Sequence, residues 1–294
     1  MSEMLSYLIP GVMTGFVYAL IALGFVLIYK CSGVLNLAQG ELVIIGAYMF
    51  YALSAQAGLP AGVGIVGTLL LAIGLGFLVE RLVMRPLIGQ PILAVILVTL
   101  AVAGLLRGIM ILVWGPDTLS LPRLFPLGGV DFLGVSISYA HLFFVLVSVV
   151  LFAVLFLFFR YSQRGLSMMA VADDQQASQS VGVRVTMVLA MAWAIAALVS
   201  ATGGILLTSI TGVHYSAVGI GLRAIAVVLA GGLESVGGVL IAGPLIGAME
   251  GISAGYLDPL VGGGMRDVTA FVVLILVLMI RPYGLFGWKR IERV

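Results

Sequence analysis

Long runs without a single charged side chain dominate the chain. Residues 4–29, 42–79, 86–106 and 132–159 contain no Asp, Glu, Lys or Arg. A helix needs about 20 apolar residues to cross the hydrocarbon core of a bilayer. The run 4–29 therefore predicts one crossing. The run 42–79 predicts two, because Gly58-Leu59-Pro60 interrupts it. The runs 86–106 and 132–159 give two more, and a further span is expected at 186–210. Beyond it the pattern changes. Residues 224–233 form a short run containing Gly231-Gly232, 237–256 carries Pro244 and Glu250, and the last apolar run is 268–280. The pattern predicts an all-α polytopic membrane protein with eight or nine transmembrane crossings, in which residues 1–294 form a single transmembrane domain.

Two segments, near 31–40 and 224–238, read as apolar run, glycine-bearing break, apolar run. They are expected to be broken helices or re-entrant turns. Irregular backbone survives at membrane depth only where it is buried in protein or lines a wet cavity, and paired broken segments point towards a transport pathway.

Composition agrees with a lipid environment. Hydrophobic residues make up 62% and charged residues 9% of the chain, against about 25% charged in a soluble domain. Too few charges remain to cover a water-exposed surface. The start, Met1-Ser2-Glu3-Met4, lacks the basic flank of a signal peptide, so the first run is expected to be retained as a span. Lys and Arg gather on the inner side of membranes. With nine crossings and a cytoplasmic C-terminus, ten of the 14 basic residues fall inside, among them Lys30, Arg81, Arg85, Arg160, Arg164 and Arg184. Arg123, Arg223 and Arg266 fall outside or at the outer edge, and Arg107 lies within a span. The N-terminus is expected outside. Two polar stretches then remain: an external loop at 115–138 and a cytoplasmic segment at 160–184.

Candidate chemistry is sparse. One cysteine, Cys31, and two distant histidines, His141 and His214, argue against a disulfide, a zinc site or an iron–sulfur cluster; no metal and no bound cofactor are expected. No Gly-x-x-x-x-Gly-Lys loop or His-Glu-x-x-His helix occurs. ATP hydrolysis by this chain is not expected. In the segment 160–184, Ala170, Asp173, Asp174 and Ala177 fit short helices stopped at Gly182, and Met168, Met169 and Val171 would give an exposed apolar edge. Such a segment suits either a docking helix or a solvated loop. Asn36, Gln39 and Glu41 form a polar cluster between two apolar runs. They have the spacing of a helix-capping box with an acid in the first turn, or they line the inner end of a pathway. Arg107 and Glu250 sit within apolar runs, where ionisable groups are costly. They either pair, snorkel or line a cavity. Glu234 lies in the glycine-rich break and either caps the next helix or faces the cytoplasm.

Several stretches together carry a resemblance. Residues 11–48 read GVMTGFVYALIALGFVLIYKCSGVLNLAQGELVIIGAY, followed by ERLVMRPLIGQP at 80–91, RGLSMMAVADDQQASQSVG at 164–182, GLRAIAVVLAGGLESVGGVLIAGPLIGAMEG at 221–251 and IRPYGLFG at 280–287. In order and spacing these resemble the permease subunits of branched-chain amino acid ABC importers, the high-affinity leucine/isoleucine/valine type. The resemblance implies an ATP-driven importer in a bacterial inner membrane. The partners it implies are a second homologous permease, two ATP-binding subunits that use the ATP, and a periplasmic solute-binding protein. It further implies that 164–182 seats on the ATPase, with Gly165, Ala170, Asp173, Asp174, Ala177 and Gly182 as the coupling residues. Asn36, Gln39, Glu41, Arg107 and Glu250 are the pathway candidates. The chain departs from the family pattern at Met169, where Arg is usual, and at Gln39, where many members have His. Related members handle urea, short amides or aromatic carboxylates, so the substrate stays open. A self-sufficient secondary transporter is the alternative class, and it would place Glu41, Arg107 and Glu250 at the centre of the mechanism. An intramembrane enzyme is disfavoured, because the spans hold no His cluster or paired Asp motif.

Overall fold

The computed structural model describes residues 2–132 and 134–287. Lys289, Arg290 and Arg293, three of the ten basic residues expected inside, lie outside the described residues. Among the described residues, six helices are long and apolar enough to cross a membrane. They are α1 (Ser2–Ser32), α3 (Ala61–Val79), α4 (Ile92–Trp114), α5 (Tyr139–Tyr161), α8 (Val185–Thr211) and α10 (Val236–Tyr256). Three shorter apolar helices accompany them: α2 (Gln39–Tyr51), α9 (Gly219–Gly231) and α12 (Met265–Ile280). The remaining helices are α6 (Gln163–Asp173), α7 (Gln175–Ser180) and the single turn α11 (Asp258–Val261). A multi-pass membrane protein follows from the six long helices. Their flanks carry exposed leucines, such as Leu70, Leu93, Leu105 and Leu112, as lipid contact demands.

The helix breaks fall where the sequence places them. α1 ends at Gly33 (φ +70°), and the chain runs irregularly to Ala38 before α2 begins. α9 ends at Gly232 (φ +109°), four residues before α10. Residues 57–60 separate α2 from α3. The stretch 115–138 holds structure that the apolar pattern alone does not reveal. Strands β1 (Gly129–Phe132) and β2 (Val135–Ser138) form an antiparallel hairpin pairing Gly129 with Ser138 and Phe132 with Val135. Gly134 takes the positive φ that its tight turn requires. The expectation of an all-α chain is corrected to this extent.

Two compact units are present. One comprises residues 1–26, 125–149 and 222–294. Within it, α1 and α10 approach at glycines. A Cβ on Gly247 would lie 2.6 Å from the Gly15 Cα, and one on Gly15 would lie 2.7 Å from the Pro244 Cα. Small residues at such crossings let membrane helices gain close van der Waals contact where no hydrophobic effect drives association. Residues 284–287 turn back onto the end of α9: the Leu285 and Phe286 N–H groups donate to the carbonyls of Ala230 and Gly231 at 2.7 and 3.1 Å.

The second unit comprises residues 27–124 and 150–221. Its centre is α8, flanked by α2 and α3. Gly46 lies against Ala201, and Gly76 against Trp193 and Ala194. A π turn, Ala52–Gln56, extends α2, and another, Glu80–Met84, extends α3. The second π turn has a direct consequence. In an α-helix residues four apart share a face, whereas the wider π turn, with its i→i+5 bonding, aligns residues five apart. Glu80 and Arg85 are thus paired by two hydrogen bonds, Nε to Oε1 at 3.1 Å and Nη2 to Oε2 at 2.9 Å.

Candidate functional site

The pathway candidates of the second unit come together around the start of α2. Asn36 is 1% and Gln39 0% exposed, so every polar atom must find a partner inside. The Asn36 Oδ1 accepts from the Ala38 N–H at 3.0 Å, and its Nδ2 donates to the Gln39 Oε1 at 3.2 Å. The Gln39 Nε2 donates to the Ser200 Oγ of α8 at 2.6 Å. The capping-box spacing does not produce a capping box. The N-cap of α2 is Ala38, which has no side-chain cap. Asn36 stands two residues before it and folds the local turn instead, as Asn side chains do. The cluster braces the break between α1 and α2 against α8. The Leu37 N–H adds a bond to the Thr99 Oγ1 of α4 at 3.2 Å.

Glu41, in the first turn of α2, is 3% exposed and accepts from the Arg107 Nη2 at 2.5 Å. Arg107, in α4, pairs across the helices while its side chain stays about half exposed. Replacing Arg107 with alanine leaves a buried carboxylate without its donor, a cost of about 2 kcal/mol or more. Thermal unfolding in detergent should register it, and the double variant Glu41→Gln/Arg107→Met should recover part of the loss.

Glu250 lies in the other unit. It is 0% exposed within α10, and it gathers residues from three further helices. Its Oε2 accepts from the Tyr18 hydroxyl at 3.0 Å, and the Arg266 Nε is 3.6 Å away. The Arg223 Nε approaches Oε1 at 4.0 Å. Arg223 also donates to the Tyr18 hydroxyl at 3.1 Å and pairs with Asp267. Two cations and two carboxylates thus neutralise one another beside α1, α9, α10 and α12. Of these partners, Arg223 and Arg266 carry a sequence signal only as basic residues beside spans, and Tyr18 carries none.

The segment 160–184 forms two short helices. Ser162 caps α6 by accepting from the Gly165 N–H at 2.8 Å, and Asp174 caps α7 by accepting from the Ala177 N–H at 2.9 Å. Asp174 and Ala177 therefore have a structural task of their own. Gly165 is pressed on α5, where an added Cβ would fall 2.7 Å from the Phe159 Cα. Gly182 takes φ +88° just past α7. Met168 and Val171, expected on an exposed edge, are each 1% exposed. They pack with Val185, Val188 and Leu189 of α8 and with Cys31. Three-residue spacing sets both on the inner face. The exposed stripe is instead Leu166, Met169, Ala170 and Asp173, at helical offsets of three, four and seven. The Gln175 Nε2 donates to the Cys31 carbonyl at 2.9 Å, tying α7 to the end of α1. Asp174→Ala should cost α7 about 1 kcal/mol of cap stability, seen as faster amide exchange over 175–180 with α8 unaffected.

In the second break, the N-cap of α10 is Ser235, whose Oγ accepts from the Gly238 N–H at 3.0 Å. Glu234 is not the cap. Among the described residues no group of three His, Cys, Asp or Glu side chains is placed to hold a metal ion.

Residues 7–280 match the family described as the branched-chain amino acid transport system/permease component. The chain is 30% identical to the high-affinity branched-chain amino acid transport system permease protein LivH of Escherichia coli strain K12, over the whole of both chains. It is 30% identical to the corresponding protein BraD of Pseudomonas aeruginosa, covering 99% of this chain and 98% of that one. The LivH protein of Salmonella typhimurium is 29% identical over both full lengths. A solved structure, PsaBC from Streptococcus pneumoniae in complex with Fab, superposes with a TM-score of 0.51 at 13% identity, covering 95% of this chain and 91% of that one, which is a likeness of fold. The match over 7–280 and the full-length relatives make this chain a member of the branched-chain amino acid transport permease family.

Proposed function

We propose that the chain is the membrane-spanning permease subunit of an ATP-driven importer for branched-chain amino acids, working in a bacterial inner membrane. The family match over nearly the whole chain carries this reading. ATP hydrolysis belongs to two separate ATP-binding subunits. A second homologous permease completes the pathway, and a periplasmic binding protein delivers substrate at the outer face, where the loop 115–138 lies. Nine crossings follow if α2 with its π turn, α9 and α12 each traverse the membrane alongside the six long helices. This count sets the N-terminus outside and α6, α7 and the C-terminus in the cytoplasm, in line with the bias of Lys and Arg.

The segment 160–184 is the seat of the motor. Its inner face is fixed to α8 and α1, so a push on the exposed stripe is transmitted to both. The stripe presents Leu166, Met169 and Ala170 beside Asp173, the apolar-plus-acid edge that a groove on an ATPase would grip. Asn36, Gln39, Glu41 and Arg107 brace the inner break of the same unit, and Glu250 sits in the other unit. The reading is tested by co-purifying the chain with the permease, ATPase and binding protein encoded beside it and measuring leucine uptake into vesicles. Uptake should require every component and ATP. Ala170→Arg and Asp173→Lys should lower transport and substrate-stimulated ATP hydrolysis about tenfold or more, while the chain still inserts. Uptake by this chain alone, driven by an ion gradient, would overturn the reading in favour of a secondary transporter.

A further inference from the structure

A cavity of about 130 Å³ lies within the second unit, at the end of the spans where α6 and α7 sit. Its walls come from the end of α1, the break before α2, the π turn after α3, the start of α4, α7 and α8. One side is aliphatic and aromatic, with Ile28, Val95, Leu189 and Trp193. The other is polar, with Asn36, Thr99 and Gln175 as neutral hydrogen-bonding groups and Glu80 as the one acidic side chain. Glu80 is 1% exposed. Arg85 occupies one direction on each of its two oxygens. A carboxylate offers about four acceptor directions, so the oxygens retain capacity for a further donor.

Size and chemistry together select a class of ligand. An apolar cavity of about 150 Å³ takes a benzene-sized molecule, so this one suits a branched aliphatic side chain and not a large ring system. A buried carboxylate attracts a cationic donor, and the lining side-chain amides of Asn36 and Gln175 each carry a second N–H that can serve a nearby anion. A carboxylate and neutral amide donors beside an apolar pocket are complementary to a zwitterion that carries an aliphatic side chain. We propose that this cavity is a binding site for a free branched-chain amino acid, with its ammonium on Glu80 and its side chain against Ile28, Leu189 and Trp193. The proposal rests on the importer reading and extends it. It gives one permease chain a product-side site of its own, whose wall includes Gln175 of the segment that would meet the motor.

Trp193 makes the site observable. The full chain is purified in detergent with Trp114→Phe and Trp288→Phe, leaving Trp193 as the one tryptophan, and titrated with L-leucine. A saturable change in emission is expected. 4-Methylpentanoate, which lacks the ammonium, should bind about tenfold or more weakly, the worth of one charge-assisted hydrogen bond. Glu80→Gln should weaken leucine by a similar factor, with Arg85 left half in solvent and so tolerably unpaired. Val95→Phe fills the cavity, leaves the Glu80–Arg85 pair intact and should abolish the response. No saturable response in a chain that keeps its helical circular dichroism overturns the proposal. So does an equal response to 4-methylpentanoate, or an unchanged response in Val95→Phe. Leucine uptake by the complete importer is measured in parallel. Uptake without the titration response sinks the cavity alone, whereas the response without uptake sinks the importer reading and leaves the site standing.

Discussion

Glu250→Ala is expected to destabilise the chain by about 3–5 kcal/mol, the cost of removing one partner from a buried ion pair. The carboxylate is wholly enclosed; it accepts a hydrogen bond from Tyr18 and forms ion pairs with Arg266 at 3.6 Å and Arg223 at 4.0 Å, all three on other helices. Without it, the guanidinium groups of Arg223 and Arg266 keep one carboxylate nearby, Asp267, which pairs with Arg223. Mutual repulsion and poorer solvation then add to the lost bonds. The result should be a large fall in the melting temperature of the detergent-solubilised chain and a poor yield from membranes. Glu250→Gln keeps the shape and an acceptor for Tyr18 and should fall between. Asp267→Asn touches a side chain that is 65% exposed and should cost under about 1 kcal/mol, as exposed pairs do. Equal effects at Glu250 and Asp267 would show that burial does not set the hierarchy.

The second large effect is steric. Gly15→Leu places a branched side chain where even a Cβ would meet the Pro244 Cα at 2.7 Å and the Gly243 carbonyl carbon at 2.8 Å. The obstacle is backbone, which cannot swing aside as a side chain would. The α1–α10 contact must open along its length, through Gly11, Gly247 and Gly251. The expected loss is at the top of the overpacking range of about 1–3 kcal/mol, or beyond it. Thermal unfolding of the detergent-solubilised chain checks it: the melting temperature of Gly15→Leu should fall well below that of the parent. Gly74→Leu, at a glycine with open space around it, should leave folding unchanged.

The long helices are legible because each depends on one local property, a run of about 20 apolar residues without charge. Gly58-Leu59-Pro60 and the glycines at 33 and 232 mark the breaks for an equally local reason. The partnerships are not legible. Glu41 with Arg107, Gln39 with Ser200 and Glu250 with Tyr18 join residues 66, 161 and 232 positions apart, and no spacing rule reaches so far. Position also overrides motif. Asn36 and Gln39 have capping-box spacing, yet α2 begins at Gln39, and a shift of two residues turns a cap into a turn brace. Met168 and Val171 read as an exposed edge until the alignment of α6 on α8 assigns them inward. The hairpin at 129–138 escapes a reading built on hydropathy, since four-residue strands leave little trace beside runs of twenty.

The pairing of Glu80 with Arg85 depends on how many residues lie between them more than on which residues those are. Regular α pitch advances each residue by about 100°, so deleting one residue anywhere in 81–84 would carry Arg85 to a four-residue offset if the wide turn relaxed to ordinary pitch. The pair could then persist with its helix straightened, while everything downstream moved by one position. An insertion at the same place would do the opposite and part the two side chains. Length variation at this short stretch should therefore be asymmetric among functional relatives: chains one residue shorter can keep both charges, whereas chains one residue longer should have lost them together.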